Sequence, residues 1–187
     1  MIPSLEAVKT IHAHRGKALV VATMTAREEW DGISQVRSLD LPLIGCMGKA
    51  SSFGLGLALA QPRRKVMVID GDGSLLMNLG SLATVANKVP ANYYHFVFED
   101  GVYTTTGGQP IPAQTRISFA AMARAAGYAA AYEFDNLEEL VTEVGSILQQ
   151  RGPVLVCLKV RHGEIPKSTP RTIQQAVAEL RELLARA

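Results

Sequence analysis

Six stretches of this sequence, at 17–24, 41–45, 65–70, 93–99, 129–134 and 153–160, are strand-like apolar runs, and several are continuous Val, Ile, Leu and Phe with no polar alternation. A strand with one wet face alternates apolar and polar residues, whereas a strand covered on both faces does not. Between the runs the period changes to that of a helix. Leu75, Leu79, Leu82 and Ala86 predict a helix that starts directly after the third run. Leu137, Val141, Val144 and Leu148 predict another, opened by Asp135 and Glu138 as a capping pair and closed by Gly152-Pro153. Ile173, Val177, Leu180 and Leu184 predict a C-terminal helix at about 171–187. Strands alternating with helices imply an α/β domain, doubly wound, with a mainly parallel six-stranded sheet and helices on both faces. No repeat or linker divides the chain, so 1–187 is expected to be a single domain.

Composition removes several function classes. A hydrophobic content of 48% with 19% charge suits a buried α/β interior. Lys and Arg number 19 against 17 Asp and Glu, which leaves no basic footprint for nucleic acid. Cys46 and Cys157 form no CxxC pair, which argues against a disulfide framework, a zinc site or an iron–sulfur cluster. Neither a leader nor a membrane span is evident, and a cytoplasmic location is expected.

In a doubly wound sheet, ligands sit beyond the carboxyl ends of the strands. Four distinctive loops fall there: "ATMTARE", "IGCMGKASS", "DGDGSLL" and "EDGVYTTTGGQ". Gly71 and Gly73 allow backbone to approach a ligand closely, and the helix start after them adds free N–H groups, so the loop reads as an anion cradle. Asp72 lies inside that cradle, where a carboxylate would repel a phosphate unless a cation stood between them. Mg²⁺ takes hard oxygen ligands and bridges carboxylates to phosphates, and Asp100 at the end of the next strand is the natural second carboxylate. An EF-hand fits Asp70, Asp72 and Ser74, but Leu75 and Ser81 stand where it requires Gly and Glu. A Walker loop fails because Lys49 is not followed by Ser or Thr. A haloacid-dehalogenase-type phosphatase would make Asp70 the nucleophile and Asp72 the acid/base. Here, though, the motif follows two earlier strands, and Asp100 lacks the expected acidic companion. Among the histidines, His12 and His14 face different sides of a helix, His95 reads as core, and His162 in "VRHGEIP" reads as a loop histidine.

"GDGSLLMNLGSLAT", followed by a strand and "EDGVYTTTGGQP", resembles the two-part cofactor signature of thiamine diphosphate enzymes, and the likeness runs from about 17 to 160. "GCMGKASS" and "TTTGGQP" are similar to phosphonopyruvate and sulfopyruvate decarboxylases, the latter through their beta subunit. The resemblance implies that Asp72 and Asp100 hold Mg²⁺ by their side chains and Val102 by its carbonyl. Gly71, Gly73 and Ser74 would bind the diphosphate, helped by Thr25, Tyr103 and Thr104. Gly45 would offer its carbonyl to the aminopyrimidine, and Met47 would be the apolar wedge that bends the cofactor. Thr106 and Gln109 would form the catalytic wall facing the substrate. Three positions depart from the family: Glu99-Asp100 replaces a pair of asparagines, Lys49 replaces a frequent histidine, and Thr106 stands where some decarboxylases carry an acid/base glutamate. The glutamate that activates the cofactor belongs in this family to a pyrimidine-binding domain, for which the chain has no room. A partner alpha-type subunit, an oligomer and a small 2-oxoacid bearing a sulfonate or phosphonate are therefore expected. The alternatives by resemblance are another thiamine diphosphate lyase or synthase, similar to acetolactate synthase, and a non-catalytic thiamine diphosphate-binding module.

Overall fold

All six apolar runs become strands of one parallel sheet. The computed structural model describes residues 1–169 and 171–185. Its first half runs β1 (Ile2–Pro3), α1 (Ser4–Ala13), β2 (Leu19–Thr23), α2 (Met24–Ile33), β3 (Asp40–Leu43), α3 (Ala50–Ala60), β4 (Val66–Gly71), α4 (Asp72–Leu76) and α5 (Ser81–Lys88). The second half adds β5 (Tyr93–Glu99), the short pair β6 (Val102–Tyr103) and β7 (Gln109–Pro110), and α6 (Phe119–Ala126). It ends with β8 (Ala130–Phe134), α7 (Leu137–Ile147), β9 (Val154–Arg161) and α8 (Ile173–Ala185). The spatial order is β3-β2-β4-β5-β9, and β8 and β1 share the outer edge of β9. Two-residue β1 makes the sheet seven-stranded, one more than expected, because so short a run leaves no periodic signal.

The period of two along each strand divides the core. In β2 and β4, Leu19, Val21, Val66 and Val68 join one apolar cluster, with side chains from α3, α5, α6 and α8. Val20, Ala22, Met67 and Ile69 join the other, with side chains from α1, α2 and α7. Each such Val, Leu, Ile or Met side chain, removed from water, contributes about 1.5–3 kcal/mol. This explains the missing polar alternation: both faces of the central strands are interior.

Two expectations change in detail. The helix predicted through Leu75 and Ala86 is broken into α4 and α5 at 77–80. The loop after β3 docks on this break: the Asn78 amide donates to the Gly48 carbonyl at 3.0 Å, and the Gly48 N–H donates to Ser74 Oγ at 3.0 Å. A Cβ on Gly48 would lie 3.1 Å from that of Asn78, so the approach depends on glycine. The cap of α7 is Asn136, whose Oδ1 accepts from the N–H groups of Glu138 and Glu139. α8 matches the expected C-terminal helix as far as Ala185, and the last two residues of that expectation, 186 and 187, lie outside the described residues.

Two glycines of α3 test the packing with opposite signs. A Cβ on Gly54 would lie 2.2 Å from Val68 Cγ2 and 3.2 Å from the Tyr93 ring, whereas one on Gly56 meets nothing within 4 Å. Gly54→Ala should cost about 1–3 kcal/mol by overpacking. Gly56→Ala should gain about 0.5–1 kcal/mol from helix propensity. Denaturant midpoints check both, and a neutral Gly54→Ala would contradict the seating of α3 on β4.

Candidate functional site

Because the central strands are parallel, their carboxyl ends open on one rim. A cleft there is lined from five segments: Met24, Thr25 and Ala26 after β2, Met47 after β3, 71–74 after β4, Phe98, Asp100 and 102–105 around the end of β5, and His162 after β9. Its volume is about 30 Å³, and it opens to solvent. Met24 at the lip carries φ of 58°, a left-handed conformation that strains a residue with a side chain.

Asp72 is the centre of the cleft. It is buried, with Oδ1 accepting from the Gly73 N–H at 2.6 Å and Oδ2 from the Gly101 N–H at 2.8 Å. Burial pushes its pKa up to about 6 against the lowering effect of those two N–H groups, and the charges of Asp100 and Glu99 add to the rise. Asp100 Oδ1 accepts from the Val102 N–H at 3.1 Å, and its Oδ2 takes the Thr104 hydroxyl. The donor set is therefore hard oxygen in a field of excess negative charge, the chemistry that suits Mg²⁺. Gly73 lies under the Tyr103 ring, where a Cβ would come within 2.6 Å, so this position has no room for a side chain. Ser74 Oγ is tied to the loop that carries Met47 through the Gly48 N–H.

The structure brings most of the expected residues together. Thr25, Met47, Gly71, Asp72, Gly73, Ser74, Asp100, Val102, Tyr103 and Thr104 all line the cleft. Gly45, Thr106 and Gln109 do not; all three are exposed, and Thr106 Oγ1 donates to the Tyr103 carbonyl at 3.3 Å. Asp70, the nucleophile of the phosphatase reading, is wholly buried and outside the lining. Its oxygens engage the Gly71 N–H at 3.0 Å and His95 Nε2 at 3.3 Å, so it braces the sheet and faces no substrate.

Sequence reasoning missed Met24, Ala26, Phe98 and His162 in the lining. His162 is no free loop histidine. Its Nδ1 lies 3.1 Å from Glu29 Oε1, and its Nε2 lies 3.5 Å from Asp100 Oδ2. Burial alone would lower its pKa, but the hydrogen bond and charge of Glu29, with Asp100 and Asp72 behind, raise it above the ordinary value. Glu29 is wholly buried on α2 and accepts the Ser4 hydroxyl at 2.5 Å. The available signal was position: His162 follows a strand whose carboxyl end opens on the same rim.

The family described as "Thiamine pyrophosphate enzyme, C-terminal TPP binding domain" matches residues 32–158. Phosphonopyruvate decarboxylase of Streptomyces hygroscopicus is 40% identical over 142 residues, covering 73% of this chain and 35% of that protein. Sulfopyruvate decarboxylase subunit beta of Methanothermobacter thermautotrophicus is 41% identical over 121 residues, covering 65% of this chain and 62% of that subunit. The chain thus spans about a third of the phosphonopyruvate decarboxylases it matches. Among solved structures, 2-oxoglutarate:ferredoxin oxidoreductase from Magnetococcus marinus superposes with a TM-score of 0.66 at 15% identity, over 97% of this chain and 84% of that one. That likeness concerns the fold.

The raised pKa of Asp72 has a consequence for stability. The folded value of about 6 exceeds the ordinary 3.8, so the folded protein holds the proton more tightly than the unfolded chain. The contribution is full below about pH 4 and is lost as pH rises through about 6. Relative to Asp72→Asn, the ligand-free parent should therefore lose stability between about pH 4 and pH 7, and Mg²⁺ should reduce the loss. Urea midpoints across that window measure it. A parent–variant difference that stays constant with pH would mean that Asp72 is solvated.

Proposed function

The chain belongs to the thiamine pyrophosphate enzymes through their C-terminal TPP-binding domain, and on that premise we propose that it is the cofactor-binding subunit of a thiamine diphosphate- and Mg²⁺-dependent decarboxylase of 2-oxoacids bearing a terminal sulfonate or phosphonate. The observation that carries the reading is the cleft itself. Asp72 and Asp100 project from the ends of neighbouring strands into a space walled by Gly71, Gly73 and Ser74. The names of the relatives, at 36–42% identity, support the substrate class.

Each group then has a task. Asp72, Asp100 and the Val102 carbonyl hold the cation. Gly71, Gly73 and Ser74 receive the diphosphate, with Thr25, Tyr103 and Thr104 around it. Asp100 in place of the family asparagine keeps a coordinating oxygen and adds charge. Thiamine diphosphate, when bound, supplies the nucleophilic carbon and the electron sink that loss of CO₂ from a 2-oxoacid requires. Met47 is the apolar wall beside the ring system, and Gly45 offers its carbonyl at the open side. Thr106 and Gln109, exposed beyond the lip, face the substrate once a partner covers that side. The beta-subunit names among the relatives support such a partner, an alpha-type chain with a pyrimidine-binding domain that brings the activating glutamate.

Calorimetric titration with thiamine diphosphate and Mg²⁺ tests the cradle. Asp72→Ala should weaken binding by about 2–5 kcal/mol, the scale of losing one partner of a buried charge pair. Asp100→Asn should retain binding and Asp100→Leu should lose it, because only the amide still offers an oxygen. Asp70→Asn should leave affinity near the parent's, and the reverse pattern would favour the phosphatase chemistry.

Partner dependence is tested by turnover. The purified polypeptide with cofactor and Mg²⁺ should release no CO₂ from sulfopyruvate, phosphonopyruvate or pyruvate. Co-expression with an alpha-type chain should restore release from the sulfonated or phosphonated substrate. Robust turnover by the polypeptide alone would contradict the partner's role.

A further inference from the structure

His162 is the one basic side chain among the described residues that line the cleft. The ring is not free to turn. Nδ1 is held 3.1 Å from Glu29 Oε1, and Glu29 is wholly buried with its other oxygen on the Ser4 hydroxyl at 2.5 Å. A carboxylate behind one ring nitrogen fixes the ring and directs the other nitrogen outward, as in many ligand-binding histidines. Here the outward atom is Nε2, which faces the cleft. Among the described residues its contact there is Asp100 Oδ2 at 3.5 Å, too long for a good hydrogen bond. Asp100 is meanwhile satisfied by the Val102 N–H and the Thr104 hydroxyl. With Nδ1–H given to the buried Glu29 carboxylate, Nε2 donates as the second N–H of an imidazolium paired with that carboxylate, and at the edge of an anion cradle it meets no strong acceptor among the described residues.

Charge counting says what it lacks. A divalent cation on Asp72 and Asp100 cancels those two carboxylates, and the charge of the anion is then left over. Among the described residues no Lys or Arg lines the cleft to meet it. The Glu29–His162 pair turns its negative member inward and its N–H outward.

We propose that His162 is a phosphate-binding residue of this site, donating from Nε2 to an oxygen of bound diphosphate, with Glu29 as the residue that positions its ring. The proposal rests on the thiamine diphosphate reading above. It adds a contact from the segment after β9 to a cleft that Gly73 and Ser74 also line. When the anion arrives, Nε2 exchanges its long contact with Asp100 for a short charge-assisted bond.

The test uses inorganic diphosphate as the probe, titrated calorimetrically into the 187-residue chain at fixed MgCl₂, beside Mn²⁺ titrations without anion followed by the free Mn²⁺ resonance signal. His162→Leu fills the space without a donor and should weaken diphosphate binding about tenfold or more, the worth of one hydrogen bond to a charged group. His162→Gln keeps a neutral donor and should fall between Leu and the parent. Glu29→Gln should weaken binding less, in the same direction. Mn²⁺ affinity should stay within about twofold of the parent in all three, which separates an anion contact from general damage. Parent-like diphosphate affinity in both His162 variants would overturn the inference. A matching loss of Mn²⁺ affinity would also overturn it, by showing that His162 serves Asp100. A parent that binds Mn²⁺ but no diphosphate would overturn the underlying reading, and this inference with it.

Discussion

Two carboxylates at the carboxyl ends of adjacent strands repel each other, and the rim of this domain is organised around that repulsion. Unit charges 4 Å apart near a protein surface interact by about 4 kcal/mol. Without a cation, the strain is met by local donors: the N–H groups of Gly73 and Gly101 on Asp72, and the Val102 N–H and Thr104 hydroxyl on Asp100. Burial and neighbouring charge still lift Asp72 to a pKa of about 6. A divalent cation between these oxygens would cancel the two charges and remove the repulsion toward an anion. The arrangement is costly for a bare fold and suited to a charged ligand.

The scaffold makes that cost bearable. β4 and β5 are buried along nearly their whole length, and their parallel register sets Asp70 opposite Val97 and Gly71 opposite Phe98. The acidic loops are therefore fixed at the ends of the most protected strands, while apolar clusters on both sheet faces carry the stability. Asp70 and His95 complete the division of labour, since their buried contact at 3.3 Å braces the strands beneath the cleft.

The architecture was legible because burial on both faces writes itself into continuous apolar runs, as in β4 and β9. The glycine-flanked Asp72 was legible because few structures need a carboxylate in an anion cradle. What escaped depends on contacts distant in sequence. The stripe of Leu75, Leu79, Leu82 and Ala86 gives no hint of the break at 77–80, which exists because Gly48 docks there. Arg27, Glu28, Glu29 and Asp31 crowd four charges onto one stretch of α2. Arg27 does pair with Glu28 and Asp31, at 2.8 and 2.9 Å, yet packing against α1 and the segment after β9 buries Glu29 alone. His162 could be valued only after that carboxylate was found behind it.

The central claim is that Asp72 and Asp100 together hold one divalent cation. Paramagnetic broadening of carboxylate carbon resonances by substoichiometric Mn²⁺, in the presence of thiamine diphosphate and with aspartate and glutamate side chains labelled, tests it directly. The account predicts that Asp72 and Asp100 broaden first and together, while Asp70, Glu29 and the Glu99–Glu133 pair beside Cys157 keep their signals longer. Initial broadening at Glu99 and Glu133, or at Asp72 without Asp100, would contradict it.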